Sequence, residues 1–403
     1  MVSIGALVAL TGCEFLVYQR ADADRGQAGL PALNRSTPLQ DSARANSAAM
    51  CAEGVATPSS DAEATYDRET IAAASELVGS AILDPGIADA QLRNRSATNE
   101  ILNSWSNPPW SEPRWDDIGV GEVECPDGRL YLTAVSTDRP TMPPTGRYSS
   151  LQYPLSQIQE HLGLEYGSAT NYLGQTQSLL LDLYLPPGTG TSRPLVILVH
   201  GGGFANGDRS NMAAAARDYA RRGFAAASLG YRLNPTLRGF SDPAYLEAAA
   251  DAVDDGMESV RWLRANAATY DVDPDRIAMM GTSAGGGLSL GVAVTEDQSP
   301  GGPLAGVSPK IQAAVATGAT LTLALDVITF DETPIMMIHF ETDSATGATT
   351  ADVVATCSAL WDIGGTCDQV IRPGSGHGSP LSGTGPWWSP EIGPYLWEHL
   401  DLT

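Results

Sequence analysis

Residues 151–403 are predicted to form an α/β fold, a doubly wound and mostly parallel sheet with helices on both faces. Three observations carry this. Short unbroken apolar runs recur along the segment, such as Leu195–Val199, and such runs belong to strands buried on both sides. Stretches with helical spacing of apolar residues separate them, and this alternation implies a sheet with right-handed crossovers. Two glycine-rich stretches follow apolar runs directly, HGGGF at 200–204 and GTSAG at 281–285.

Taken in order, Leu164–Gly167 and Gln177–Leu185 read as antiparallel lead-in strands. The second carries Leu179, Leu181 and Leu183 on one face and Tyr184 on the other, and Pro186-Pro187-Gly188 ends it. Leu195–Val199 is the first buried strand, Met212–Arg222 a helix, and Phe224–Leu229 the next strand. Pro243–Tyr270 reads as one long helix, with Val253, Met257, Val260 and Leu263 near helical spacing. Ile277–Met280, Ile311–Val315, Pro334–Phe340 and Asp368–Ile371 are the later strands, and 286–294 is a helix of small residues.

Ahead of this segment the pattern changes. Phe15–Ala23 and Thr37–Glu53 read as helices, the second with Leu39, Ala43, Ala48 and Met50 towards a core; Leu130–Val135 alternates as a half-buried strand. Residues 139–150 (RPTMPPTGRYSS) are Pro-rich and polar and read as a linker. The expected division is therefore 1–13, 14–138, 139–150 and 151–403.

Residues 2–12 are apolar and end in Leu10-Thr11-Gly12-Cys13, which resembles a bacterial lipobox, although no basic residue precedes it. The resemblance implies export and membrane attachment through lipid on Cys13. The other four cysteines then pair evenly, Cys357 with Cys367 by proximity and Cys51 with Cys125, in keeping with an oxidising compartment. No apolar run reaches membrane-spanning length.

The N-terminal motifs, Arg25 through Gly29-Leu30-Pro31 and Leu33, then Leu39 through Ala43-Arg44, Ser47 and Met50, then Asn99–Leu102, Ile118–Gly121 and Asp127–Thr133, resemble the CAP (SCP-like) family in their order. Metal-binding members of that family use two histidines. This chain has none before His161, so the resemblance implies an α+β accessory domain without that metal site.

The net charge of -24 with a single lysine, Lys310, excludes a phosphate-binding surface and so argues against nucleic acid as a partner. It fits a solvated acidic surface, with a salty habitat or a high-GC genome as its background.

The two glycine-rich stretches carry the chemistry. GTSAG sits between a strand and a helix, the context in which G-x-S-x-G holds a serine on a strained turn; HGGG after a strand is the companion loop of backbone donors. Together with SLLLDLYLPPG, PLVILVHGGGF, DPDRIAMMGTSAGG, PIMMIHFETDS and PGSGHG, in that order, they resemble the α/β-hydrolase esterases and lipases of bacteria. The histidine lies in GHG rather than the H-x-F-type motif of the hormone-sensitive-lipase relatives, and little sequence is left for a cap.

A serine needs a base to act as nucleophile. Of five histidines, His377 follows the last strand in a loop, whereas His161, His200, His339 and His399 lie outside the sheet core, in the glycine loop, inside a strand and in the terminal helix. The orienting acid should follow the strand 334–340, where Asp343 fits and Glu341 competes. Ser283, Asp343 and His377 are thus the expected catalytic set. Gly202, Gly203 and Ala284 are the expected oxyanion donors, and Phe204, Trp387 and Trp388 pocket walls or ordinary core residues. No cofactor or metal is implied.

The expected activity is hydrolysis of short- to medium-chain or carbohydrate-linked esters through an acyl-enzyme. A serine peptidase of related fold is the alternative, disfavoured by the absence of a large gating domain. An exported binding protein on an inert scaffold is the third, disfavoured by the complete residue set.

Overall fold

The computed structural model describes residues 12–27, 34–35, 37–54, 56, 73–82, 97–99, 101–103, 117–126, 128–138, 142–143, 145–189, 192–297, 304–329, 332–361, 363, 365–382 and 391–402. The chain divides into two units, Met1–Thr141 and Met142–Thr403. Among the described residues no helix is long and apolar enough to cross a membrane.

The first unit contains α1 (Gly12–Gln27), β1 (Asn34–Arg35), α2 (Thr37–Glu53), β2 (Ala73–Ile82), β3 (Asp117–Glu124) and β4 (Arg129–Asp138). Its strands lie in the order β2-β4-β3-β1, with β4 antiparallel to both neighbours and β1 parallel to β3. Inward positions of β3 and β4, Ile118, Val120, Leu130 and Leu132, meet Val17 and Tyr18 of α1 in a small core.

The buried stripe of α2 is Ala43, Asn46, Ser47 and Met50, the spacing of one helix face, while Ala48 is exposed. Ser47 is polar yet buried because its hydroxyl donates to Gly121 O at 2.8 Å. A disulfide joins Cys51 at the end of α2 to Cys125 at the end of β3. Cys13 lies in α1, and residues 1–11 of the lipobox-like segment lie outside the described residues.

The second unit contains β5 (Gln159–Thr170), β6 (Thr176–Leu185), β7 (Arg193–Val199), α3 (Ala213–Arg222), β8 (Ala225–Leu229), α4 (Tyr245–Ala265), α5 (Ala267–Tyr270), β9 (Val272–Thr282), α6 (Ala284–Val294), β10 (Ala313–Thr317), β11 (Ile335–Asp343), α7 (Thr350–Trp361), β12 (Cys367–Gly376) and α8 (Gly393–His399). Strand order is β12-β11-β10-β9-β7-β8-β6-β5. The six strands from β12 to β8 are parallel, and β6 and β5 are antiparallel.

Alternation along these strands sorts their side chains into two cores. Leu195, Ile197, Ile277, Met279, Ile335 and Met337 face α4, α6 and α7. Val196, Leu198, Ala278, Met280, Met336 and Ile338 face α3 and α8. Both faces are covered, which is why the strands read as unbroken apolar runs.

The long helix expected over 243–270 is two. Asn266 interrupts it, with its backbone N–H and side-chain amide both donating to Trp262 O, so the backbone restarts as α5. Within 139–150, Tyr148 is buried in the second unit's core against Phe224, 4.8 Å between ring centroids.

Chain order explains where the site forms. From β7 the chain steps one way to β8, then returns to place β9 on the other side of β7. The loops after β7 and β9 therefore part around a crevice at the strands' carboxyl ends, the usual ligand position in an open parallel sheet.

Candidate active site

Ser283 follows β9 with φ 56° and ψ −125°, a backbone conformation that a non-glycine residue adopts only under constraint. The constraint is visible. Ser283 N donates to Thr317 O at 2.9 Å and Ser283 O accepts from Gly287 N at 2.9 Å. A Cβ at position 281 would stand 1.9 Å from Gly285 O, and one at 285 would stand 2.3 Å from Val199 O. Only glycine lets the turn close and lets α6 start against β7. The Ser283 side chain does not cap α6, although the serine occupies the N-cap position.

The glycine loop comes to the same place because Val199 is paired with Gly281. A Cβ on Gly201 would lie 3.2 Å from Ser283 Cβ. Gly202 turns with φ 126° so tightly that a Cβ would meet Asn206 O at 1.9 Å, and Gly202 O accepts from Ala205 N and Asn206 N. The structure thus brings Gly202, Gly203 and Ala284 to the two loops flanking Ser283.

His200 anchors the loop. Its ring stacks on Tyr231 at 4.5 Å, its Nδ1 donates to Gly201 O at 2.8 Å, and Tyr231 Oη donates to His200 O at 2.9 Å. Burial pushes its pKa down, against the opposing pull of the Gly201 carbonyl, so the ring is held neutral. Phe204, with φ 58°, is buried and packs edge-on against Tyr231 and Tyr245.

Asp343 ends β11 and His377 follows β12. The two strands are parallel neighbours in a register that sets Asp343 beside Gly376. His377 Nδ1 donates to Asp343 Oδ2 at 2.7 Å and lies 2.9 Å from Oδ1. Asp343 is 1% exposed and Oδ1 also accepts from Ala345 N and Thr346 N, at 2.9 and 2.8 Å. Burial opposes the carboxylate, but the bonds from His377, Thr346 and Ala345 outweigh it and hold the pKa below the ordinary range. With the carboxylate on Nδ1, the proton sits there and Nε2 is the basic nitrogen.

The competitor Glu341 is exposed and its carboxylate accepts from Gly374 N at 2.7 Å, supporting the loop on its other side. The remaining histidines take no part in this pair. His161 packs edge-on against Tyr270, and His399 against Tyr395.

Three polar residues outside the expected site set clip the site together. Thr317 Oγ1 donates to Thr282 Oγ1 at 3.0 Å and accepts from Ser379 N at 3.1 Å; Thr282 Oγ1 donates to Ser379 O at 3.3 Å. This ties the residue before Ser283 to the loop carrying His377. His339, four residues before Asp343 on β11, is also outside the expected set: it is buried, with Nε2 3.8 Å from Asp343 Oδ2. Only Thr282 could have been found, from its place inside GTSAG.

A cavity of about 610 Å³ opens at Ser283 and Ala284 and is lined by Phe204. Trp387 and Trp388 lie outside the described residues. A disulfide joins Cys357 of α7 to Cys367 at the start of β12, linking the elements after Asp343 and before His377. Among the described residues no group of three or more His, Cys, Asp or Glu side chains converges as metal ligands.

Residues 181–320 match the BD-FAE family model. The segment runs from within β6 through β10 and holds the glycine loop and Ser283. Phenmedipham hydrolase of Pseudarthrobacter oxydans is 34% identical over 110 residues, 27% of this chain and 21% of that protein. Carboxylesterase NlhH of Mycobacterium tuberculosis is 35% identical over 123 residues, 30% of this chain and 35% of that protein. The chain thus spans about a fifth to a third of the length of these curated relatives. The apo form of Thermogutta terrifontis esterase 2 aligns over 62% of this chain and 93% of its own, at 19% identity and a TM-score of 0.44. Over 110 and 123 residues the chain is thus similar to hydrolases that include a carboxylesterase.

Proposed function

We propose that this chain is a serine carboxyl-ester hydrolase of the α/β-hydrolase type, with Ser283 as nucleophile, His377 as base and Asp343 as orienting acid. The single observation that supports it most is the 2.7 Å bond from His377 Nδ1 to a buried, ionised Asp343. That bond leaves Nε2 basic, on a loop clipped through Ser379 to Thr282. The similarity of residues 181–320 to esterases supports the reaction class.

In this reading His377 Nε2 takes the Ser283 hydroxyl proton as Oγ attacks the ester carbonyl. A bond from Ser283 Oγ to His377 Nε2 forms as substrate binds, since catalytic hydrogen bonds commonly close only in the complex. The oxyanion accepts from the N–H groups of Ala284, Gly202 and Gly203, each donor being worth roughly 3 kcal/mol in the transition state. His377 then protonates the departing alcohol. A water, deprotonated by the same nitrogen, releases the acid from Ser283. The substrates are short- to medium-chain or carbohydrate-linked esters.

The N-terminal unit is read as a CAP-like accessory module, supported by the order of its motifs. Export with lipid on Cys13 rests on the lipobox-like segment alone; intact mass of protein made in its own host tests it.

The catalytic reading is tested by labelling with a fluorophosphonate, mapping the labelled peptide, and assaying p-nitrophenyl acetate with wild type and Ser283→Ala. Label on Ser283 and loss of turnover in the variant are expected. Folded protein that neither labels nor turns over would overturn the reading in favour of an inert scaffold.

A further inference from the structure

One neighbouring segment ties the glycine loop at both ends. Val199 of β7 pairs with Leu229 of β8, so residues 200–204 and 230–234 leave the sheet side by side. The first and last carbonyls of the loop both accept from that neighbour, His200 O from Tyr231 Oη at 2.9 Å and Phe204 O from Asn234 N at 2.8 Å. The Tyr231 ring also meets both ends, stacked on His200 at 4.5 Å and edge-on to Phe204 at 6.3 Å. Tyr231 is buried, and that burial pushes its pKa up, so its hydroxyl stays a donor. Between the tied ends, Gly202 N and Gly203 N donate to no acceptor among the described residues. They are donors free for a bound acceptor.

The segment is itself anchored on each side of Tyr231. Gly230 N donates to Leu180 O at 3.0 Å, and Gly230 O accepts from the hydroxyl of the buried Tyr166 at 2.8 Å. Arg232 N and Nε donate to Asp255 of α4 at 2.7 and 2.9 Å, and its remaining nitrogens reach Asp251 Oδ1 and Asp251 O, both at 2.8 Å. Asp255 is buried, and a carboxylate is kept in such a place only with its bonds made. With residues 230 and 232 both fixed, the Tyr231 hydroxyl meets His200 O at a fixed point.

We propose that Tyr231 is a positioning residue for the oxyanion donors: it sets the height of Gly202 N and Gly203 N above Ser283, with Asn234 N holding the far end of the loop and the Arg232–Asp255 pair holding Tyr231. This rests on the catalytic reading above, because the loop has oxyanion donors only if Ser283 attacks a carbonyl. Tyr231 touches no reacting atom. It acts through His200 O on where the two amides point, and that direction matters once negative charge has formed on the substrate oxygen. Loss of the hydroxyl is therefore a loss in kcat and not in KM.

Tyr231→Phe keeps the stacked ring and removes only the hydroxyl. With p-nitrophenyl acetate its kcat is expected to fall about 10- to 100-fold, short of the 10²–10³ lost with a whole oxyanion donor, and its KM to stay within about twofold. Turnover is counted per fluorophosphonate-titrated site, so an unfolded fraction drops out. The pKa of the kcat/KM profile is expected to stay that of wild type, because the base is untouched. An aryl trifluoromethyl ketone, to whose carbonyl Ser283 adds to leave an oxyanion in the same loop, is expected to bind more weakly by the factor that kcat/KM falls.

Tyr395→Phe is the control. Tyr395 of α8 is fully buried and donates its hydroxyl to Ala314 O of β10 at 3.3 Å, so this variant loses a buried hydroxyl elsewhere in the second unit and is expected to keep its kcat. An unmoved kcat in Tyr231→Phe, an equal loss in both variants, or a shifted pH profile overturns the positioning role and leaves the esterase standing. Folded wild type that neither labels at Ser283 nor hydrolyses the ester overturns both.

Discussion

His339 Nε2 stands 3.8 Å from Asp343 Oδ2, both side chains being 1% exposed. The ring's Nδ1 donates to Phe340 O at 2.6 Å, and its Nε2 has no hydrogen-bond partner among the described residues. Two histidines thus flank one acid, and only His377 is bonded to it. His339→Leu is expected to keep kcat/KM for p-nitrophenyl acetate within a few-fold, and to leave stability level or slightly higher, since a buried polar atom without a hydrogen-bond partner is removed. A loss of a hundredfold or more in that assay would show that His339 holds Asp343 in position for His377.

Asp343→Asn is expected to lower kcat by about 10⁴, the size of effect seen when the acid that fixes a catalytic histidine's tautomer is lost. Its stability cost is pH-dependent. The folded pKa of Asp343 lies below the unfolded value of about 3.9, so the unfolded chain binds the proton more readily between the two. The contribution is fully present above the unfolded value and disappears as pH falls through the folded one. Thermal melts of wild type and variant should therefore differ most at neutral pH and converge towards pH 3 or below.

Gly285→Ala and Gly287→Ala are expected to move stability in opposite directions, though they lie two residues apart. At 285 the new Cβ would sit 2.3 Å from Val199 O and 2.6 Å from His200 O, which forces α6 off β7 at a cost of about 1–3 kcal/mol or more. At 287 the Cβ has room and alanine is the better helix former by up to about 1 kcal/mol. Denaturant melts of the two variants read the difference directly.

Thr317→Val keeps shape and removes the hydroxyl that Ser379 N and Thr282 Oγ1 share. The buried amide left without its acceptor costs about 1–3 kcal/mol. Because the clip positions the His377 loop, kcat is expected to fall with it while KM changes little; a fall in stability with kcat intact would show that the clip is structural only.

Much of the second unit was legible in the sequence, for a local reason. A strand buried on both faces must be apolar throughout, so β7, β8 and β9 announced themselves. The elbow was legible because a strand, G-x-S-x-G and small residues follow one another without a gap. The choice between Glu341 and Asp343 was not local. A register between two strands far apart in sequence, Ile335 with Cys367 and onward to Asp343 with Gly376, decides it, and a shift at Phe340/Thr342 within that ladder brings the second carboxylate, not the first, to His377.

The sequence by itself determined the alternation of strands and helices, the strained serine and the supply of glycines, because each depends on residues within a few positions of one another. The break at Asn266, the clip of Thr282, Thr317 and Ser379 and the second histidine beside Asp343 were decided only by the tertiary structure. Each depends on side chains far apart in the chain meeting across packed elements. The glycines of 285–291 can be read in the sequence, but which of them is crowded and which has room depends on where β7 and α4 come to rest, since a Cβ would meet Val199 O at 285 and Val253 at 291 yet has room at 287.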